Sequence, residues 1–491
     1  MTANSLMLQG TGSNVGKSVL VAGLCRAAKL RGLKVAPFKP QNMSNNAAVC
    51  QDGGEIGRAQ ALQARACGLA PETRFNPVLL KPQSDQSAQI IVNGEVAGLH
   101  DAAKFFGKAR LKLLPQVLAS YDSLAAEFDL VIVEGAGSPA ETNLRDGDIA
   151  NMGFATAARV PVCLVADIDR GGSIASLVGT KAVLSAVDQA MIQGFMINKF
   201  RGDPYLFTAG LKDITAHTHW HGYGVIPWLP EVTRLPEEDA VPLQNKQPGD
   251  TAGLIKIAVP MLSRIANFDD LDPLSMETNV QVNFIPPGKP LPMDAHAVII
   301  PGTKSTLGDM QFLKTQGWDI DIYALARQGR TILGICGGLQ LLGQTLTDSE
   351  GSDGAAGKSK GLGLLDISTT MQTRKTVRHT SGQHIATGAT CNGYEIHVGA
   401  TSGPDAARPF LQTQYGPDGA CNPAGNIAGT YLHGIFNHDD FRSVWLKTLR
   451  SDHSSDFKFD AEIDAALDQL AASLESCLDI DRLLQDSASF R

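Results

Sequence analysis

Thr331-Ile332-Leu333-Gly334-Ile335-Cys336-Gly337-Gly338-Leu339-Gln340-Leu341-Leu342 reads as an apolar strand, a tight turn with a cysteine at its apex, and a helix. Glycines on both sides permit the strained turn that exposes a nucleophile, and the helix start behind it offers backbone N–H groups to an oxyanion. A cysteine nucleophile needs a base that is near in space and can be distant in sequence. His433, ending the strand-like run Ala428-Gly429-Thr430-Tyr431-Leu432, meets that need. Upstream, Ala297-Val298-Ile299-Ile300 breaks at Pro301-Gly302, and the loop after such a strand can donate a second oxyanion N–H.

The N-terminus carries different chemistry. Leu6-Met7-Leu8-Gln9 leads into Gly10-Thr11-Gly12-Ser13-Asn14-Val15-Gly16-Lys17-Ser18 and then an apolar helical stretch, the order strand, phosphate loop, helix. In G-x-x-x-x-G-K-[ST] the loop amides hold phosphates, the lysine reaches the outer ones and the hydroxyl ligates Mg²⁺. The first glycine position is Thr11 here, with Gly10 one residue earlier, so the loop is a variant. Gly12, Ser13, Asn14, Val15, Gly16, Lys17 and Ser18 are the expected ATP-binding residues. Asp129-Leu130-Val131-Ile132-Val133-Glu134 is an apolar strand that delivers a carboxylate at its C-terminal end, where parallel sheets build their sites.

Cys336, His433 and the Pro301-Gly302 loop together resemble the class I glutamine amidotransferase domain over about residues 254–445. That resemblance implies a thioester route to ammonia, with Cys336 and His433 catalytic and Gly302 and Gly337 at the oxyanion. The family places a glutamate two residues after the histidine, and Ile435 stands there. The third member is therefore open between Glu395 and no carboxylate at all. The N-terminal series resembles dethiobiotin synthetase, through its variant loop, Lys34-Val35-Ala36-Pro37-Phe38-Lys39-Pro40 and Gly194-Phe195-Met196-Ile197-Asn198-Lys199. By that resemblance Ser18, Glu55 and Glu134 surround Mg²⁺, Lys39 faces phosphate or the activated carboxylate, and Asn198 reads the adenine. The Glu55 assignment puts residues 55–60 at the start of a helix.

The pairing narrows the family. Residues 41–46, 134–141, 167–172, 263–273 and 394–397 resemble adenosylcobyric acid synthases along nearly the whole chain. The expected architecture is α/β: a P-loop, dethiobiotin synthetase-like parallel sheet over 1–232, a linker at 233–253, a flavodoxin-like class I glutamine amidotransferase domain over 254–450, and a helical tail at 451–491. That tail is expected to pack on the glutaminase domain, and residues 349–360 to form a mobile surface loop. The resemblance implies ATP and Mg²⁺ as cofactors, glutamine as nitrogen source, and a corrinoid polycarboxylate amidated at its b, d, e and g positions. Two alternatives stand beside it: a cobyrinic a,c-diamide synthase, or a nucleotide-switched binding ATPase with an inert glutaminase fold.

Composition agrees with a soluble cytoplasmic enzyme. A net charge of −8 argues against a nucleic-acid partner, which needs a basic field. No apolar run is long enough for a membrane span, and eight cysteines without a C-x-x-C pair suit a reducing compartment. A homo-oligomer is compatible with these features. Lys39, Arg58, Lys81, Arg170, Lys199 and Arg201 lie near expected strand ends and could supply a basic surface for a polycarboxylate.

Overall fold

The computed structural model describes residues 3–83, 87–101, 108–236, 254–488 and 490. Most of the expected linker, 237–253, lies outside them.

The first domain grows around β1 (Asn4–Gly10), whose residues from Ser5 on are buried because both faces of a parallel sheet are covered by helices. α1 (Lys17–Leu30) follows the phosphate loop and β2 (Val35–Phe38) follows α1. A short antiparallel pair, β3 (Ala47–Val49) and β4 (Glu55–Gly57), then enters α2 (Arg58–Cys67). The strands β5 (Leu130–Glu134), β6 (Val162–Asp167), β7 (Ile192–Phe200) and β8 (His221–Pro227) complete a six-stranded sheet in the order β8–β7–β6–β1–β5–β2. All its pairings are parallel. The phosphate loop and Glu134 therefore emerge from the same sheet edge.

The second domain repeats the principle. β9 (Ile255–Pro260), β10 (Ile265–Ala266), β11 (Val280–Ile285), β12 (Ala297–Ile300), β13 (Gly302–Thr303) and β14 (Thr331–Ile335) lead to the short helix α3 (Gly337–Leu342). A long hairpin, β15 (Ser368–His384) and β16 (Thr390–Ser402), projects toward the first domain. β17 (Ala420–Cys421) and β18 (Ile427–Thr430) close a sheet of order β11–β9–β12–β14–β18–β17, antiparallel only at the β17 edge. The domains meet through an apolar cluster in which Ala47, Val49, Leu79 and Ile91 of the first pack on Tyr394 and Ile396 of the hairpin.

Two expectations fail here. The C-terminal helices, α4 (Phe459–Cys477) and α5 (Ile480–Asp486), dock on the first domain and not on the second, where the tail is expected from the sequence. Their apolar stripe, including Ile463, Leu467, Leu470 and Leu474, joins the core formed by Leu20, Val21 and Leu24 of α1. Gly23 permits the approach, since a Cβ there would meet Leu474 at 2.5 Å. Arg65 adds charge pairing with Asp460 and Asp464, and Arg26 with Asp468. Helical periodicity reveals an apolar face without naming its partner. Residues 349–360 are likewise not a free surface loop. Asp348 accepts the N–H groups of Gly351, Ser352 and Asp353 at 2.8–3.0 Å, and the buried Asp353 accepts the N–H of Thr306 at 2.9 Å.

Among the described residues, no helix is long and apolar enough to cross a membrane.

Candidate active sites

Cys336 sits between β14 and α3 with φ 52° and ψ −105°, a conformation disfavoured for a side-chain-bearing residue and held by its surroundings. Tight packing imposes it. A Cβ on Gly338 would fall 1.9 Å from Ile300 O, so only glycine lets α3 press against β12.

The structure brings His433 and Cys336 to the wall of one cavity, where Cys336 Sγ donates to Ile396 O at 3.6 Å. His433 Nδ1 faces Asp270 Oδ2 at 2.7 Å, while Asp270 Oδ1 accepts the Gly434 N–H at 2.6 Å. Asp270 is thus the third member that sequence left open. Glu395 is excluded: it accepts hydrogen bonds from Arg378 and Thr380 and contacts His397. Its neighbour Tyr394 stacks on His433, and strand alternation turns Glu395 to the opposite face. Burial opposes charge on His433, but the Asp270 carboxylate and Cys336 outweigh it and raise the imidazole to about 10. The pair's contribution to stability is therefore complete below the ordinary imidazole value of about 6.5 and is lost as pH rises through about 10.

Gly302 and Gly337 both line the cavity at Cys336. The Lys304 N–H donates to Arg264 O across the β10–β13 ladder. By antiparallel alternation Gly302 turns its own N–H toward that ladder too, and Thr303 turns its N–H away. The Thr303 nitrogen lies 3.0 Å from where a Cβ on Gly337 would be. Of these two N–H groups, that of Thr303 is the one turned from the ladder and next to Gly337.

Asp270→Asn should keep the fold yet lower glutamine hydrolysis on the order of 10²-fold or more, because the amide cannot hold the imidazolium that serves as general acid. Steady-state glutaminase rates check this. An unchanged rate would remove Asp270 from the site.

In the first domain, residues 11–16 form the loop, with positive φ at Asn14 (57°) and Gly16 (98°). Gly10 serves the role that the usual first glycine would: a Cβ there would lie 2.7 Å from Gly12 O, Lys17 Nζ and Val15. Lys17 Nζ bridges Gly12 O at 3.1 Å and Gly137 O at 3.0 Å, which spans the mouth between two strand ends. Ser18 Oγ donates to Glu134 Oε1 at 2.7 Å, and Lys39 Nζ donates to the same oxygen at 2.7 Å. Gln63 Nε2 reaches Glu134 Oε2 at 2.6 Å. Burial alone would raise the Glu134 carboxyl; Lys39 and these donors hold it below the usual range. A hydroxyl and an ionised carboxylate at one point are the hard oxygen donors that Mg²⁺ prefers.

Two expectations need correction in this domain, those for Glu55 and for the basic surface. Glu55 lies in β4, before the helix start, and both its oxygens are taken by Lys81 and Lys375, so it is not gathered with Ser18 and Glu134. Those two lysines hold it ionised against burial. Asn198 Nδ2 donates to Val15 O at 2.8 Å and its Oδ1 accepts the Lys199 N–H at 2.9 Å, so it braces the loop and keeps a second Nδ2 hydrogen and a second Oδ1 lone pair for a base. The expected basic surface is largely neutralised, since Arg58 pairs with Asp269, Lys199 with Asp167 and Arg201 with Asp169, as Lys39 and Lys81 do with glutamates.

Sequence reading also missed that the cavity at Cys336 has walls from both domains, with Asn45 and Lys81 from the first and Lys304, Asp353 and Lys375 from the second.

Comparison with known proteins agrees with this division. A CobQ/CobB/MinD/ParA nucleotide binding domain matches residues 6–243 and a CobB/CobQ-like glutamine amidotransferase domain matches residues 256–441. The cobyric acid synthase of Hyphomonas neptunium is 60% identical over 489 residues, covering 100% of this chain and 98% of its own. That of Paracoccus denitrificans is 57% identical, covering 98% of each. Among solved structures, the MinD cell division protein of Aquifex aeolicus is similar at 13% identity and a TM-score of 0.29, covering 47% of this chain and 85% of its own.

Proposed function

The chain belongs to the cobyric acid synthase family, and from that premise we propose that it amidates the b, d, e and g carboxylates of adenosylcobyrinic a,c-diamide, giving adenosylcobyric acid, at the expense of ATP and glutamine. The observation that carries this reading is the presence, in one chain with a shared buried boundary, of a thiol site built on His433 and Asp270 and a phosphate loop facing Glu134.

A carboxylate is a poor acyl donor to ammonia because oxide would have to leave, so the loop of the first domain serves to convert it to an acyl phosphate. Lys17 and the amides of residues 12–18 would hold and neutralise the phosphates being transferred. Ser18 and Glu134 would hold Mg²⁺, which when bound offsets phosphate charge; Glu55 would take no part. In the second domain, Cys336 attacks the glutamine side-chain carbonyl carbon while the N–H groups of Gly337 and Thr303 stabilise the oxyanion. His433 gives its proton to the departing ammonia, and the resulting thioester is hydrolysed by water that His433 deprotonates. Free ammonia at neutral pH is mostly ammonium and cannot attack, which is why both sites belong in one protein with a covered boundary. Eight free thiols suit a reducing compartment, and we place the enzyme in the cytoplasm.

One phosphate loop must serve four carboxylates, so partly amidated corrinoids should appear in succession. Mass spectrometry of a time course is expected to show one, two and three new amides before the fourth, with one ATP and one glutamine consumed per amide. Two amides only, at the a and c positions of unamidated cobyrinic acid, would assign the related diamide synthase activity instead.

A further inference from the structure

Residues 44–63 of the ATP-binding domain touch both sites. α2 sets Gln60 and Gln63 on Glu134. Its first residue, Arg58, leaves from the other side of the helix and enters the second domain, where Nε meets Asp269 Oδ2 at 2.9 Å. Two further bonds fix that junction: Asn46 Oδ1 accepts the Asn267 N–H at 2.6 Å, and Asn267 Oδ1 accepts the Ala47 N–H at 3.0 Å.

Asp269 is the neighbour of Asp270, and the two are 3% and 2% exposed. Two adjacent buried carboxylates cannot share the single positive charge of His433 without cost. The charged and titratable groups around them are Arg58, His433, Cys336, Tyr394 and Asp272. Of these, Arg58 meets Asp269 and His433 meets Asp270.

We infer that Arg58, although carried by the ATP-binding domain, is a positioning residue for glutamine hydrolysis: by neutralising Asp269 it leaves Asp270 committed to His433. This rests on the functional reading above. It also explains how the thiol site depends on the other domain being seated, since without α2 in place the histidine loses its undivided carboxylate. Burial, with the neighbouring Asp270, raises the Asp269 carboxyl on balance against the downward pull of Arg58 and His433.

The test uses the full chain and three assays: glutamine hydrolysis, glutamine-dependent amidation and amidation from ammonium salt. Arg58→Gln is expected to lower kcat for glutamine hydrolysis about tenfold or more, with KM and ammonium-dependent amidation within about twofold of wild type. Arg58→Lys should recover most of the loss. Asp269→Asn placed in the Arg58→Gln background should also recover it, because no unpaired charge then remains beside Asp270. A wild-type kcat in Arg58→Gln, a parallel fall in ammonium-dependent amidation, or a double variant no better than the single would each overturn the inference. If Arg58→Gln does not fold, Arg58→Met, which keeps the buried stem and removes the charge, is read by the same three assays with the same expected loss. A wild-type protein that neither hydrolyses glutamine nor amidates a corrinoid would overturn the functional reading itself, and this inference with it.

Discussion

Cys336→Ala is expected to abolish glutamine-dependent amidation, a loss on the order of 10⁴-fold or more, while amidation supported by concentrated ammonium salt at alkaline pH continues near the wild-type rate. The large effect follows from covalency. Without sulfur there is no thioester, and neither His433 nor the N–H groups of Gly337 and Thr303 can break the amide alone. The selectivity follows from the architecture, since Cys336 follows β14 in the second domain, while Lys17 and Ser18 at the start of α1 and Glu134 at the end of β5 belong to the first. Alanine at residue 336 removes only the thiol, and the backbone there is held by α3 and by the Cys336 N–H bond to Thr430 O at 2.8 Å. Parallel assays with glutamine and with ammonium decide the matter. Loss of both activities in a folded variant would refute separate sites.

Lys17→Ala should have the opposite pattern. Amidation from either nitrogen source is expected to fall by about 10²- to 10³-fold, the range for losing one preorganised group aimed at developing charge. Both sources pass through the same activated carboxylate, so ammonium cannot rescue this variant. Glutamine hydrolysis should persist, giving glutamate with little amide, because His433, Asp270 and Cys336 do not involve Lys17. Lys17 Nζ also ties Gly12 O to Gly137 O, so a thermal-unfolding comparison should accompany the kinetics. If Lys17→Ala amidates with ammonium at near the wild-type rate, the phosphate loop is not the activating site.

What could be read from the chain was whatever is local. The turn that carries Cys336 is written in five consecutive residues because the strain, the close approach to β12 and the helix start all concern immediate neighbours. The phosphate loop was legible for the same reason, down to the displaced Gly10 that keeps Lys17 Nζ within reach. Glu134 could be placed at a strand end because an apolar run has a direction and a parallel sheet has one active edge. Tertiary structure alone decided matters of pairing over distance. Asp270 and His433 are 163 residues apart, and nothing in a carboxylate's local sequence says which imidazole it will face. Glu55 resembled a metal ligand until the fold brought Lys81 and Lys375 to it. The C-terminal helix showed an apolar stripe that either domain could have covered, and the side chains of α1 settled which. A residue's type and neighbours determine what it can do; burial beside a particular partner determines what it does, because desolvation makes each buried charge depend on the one group that answers it.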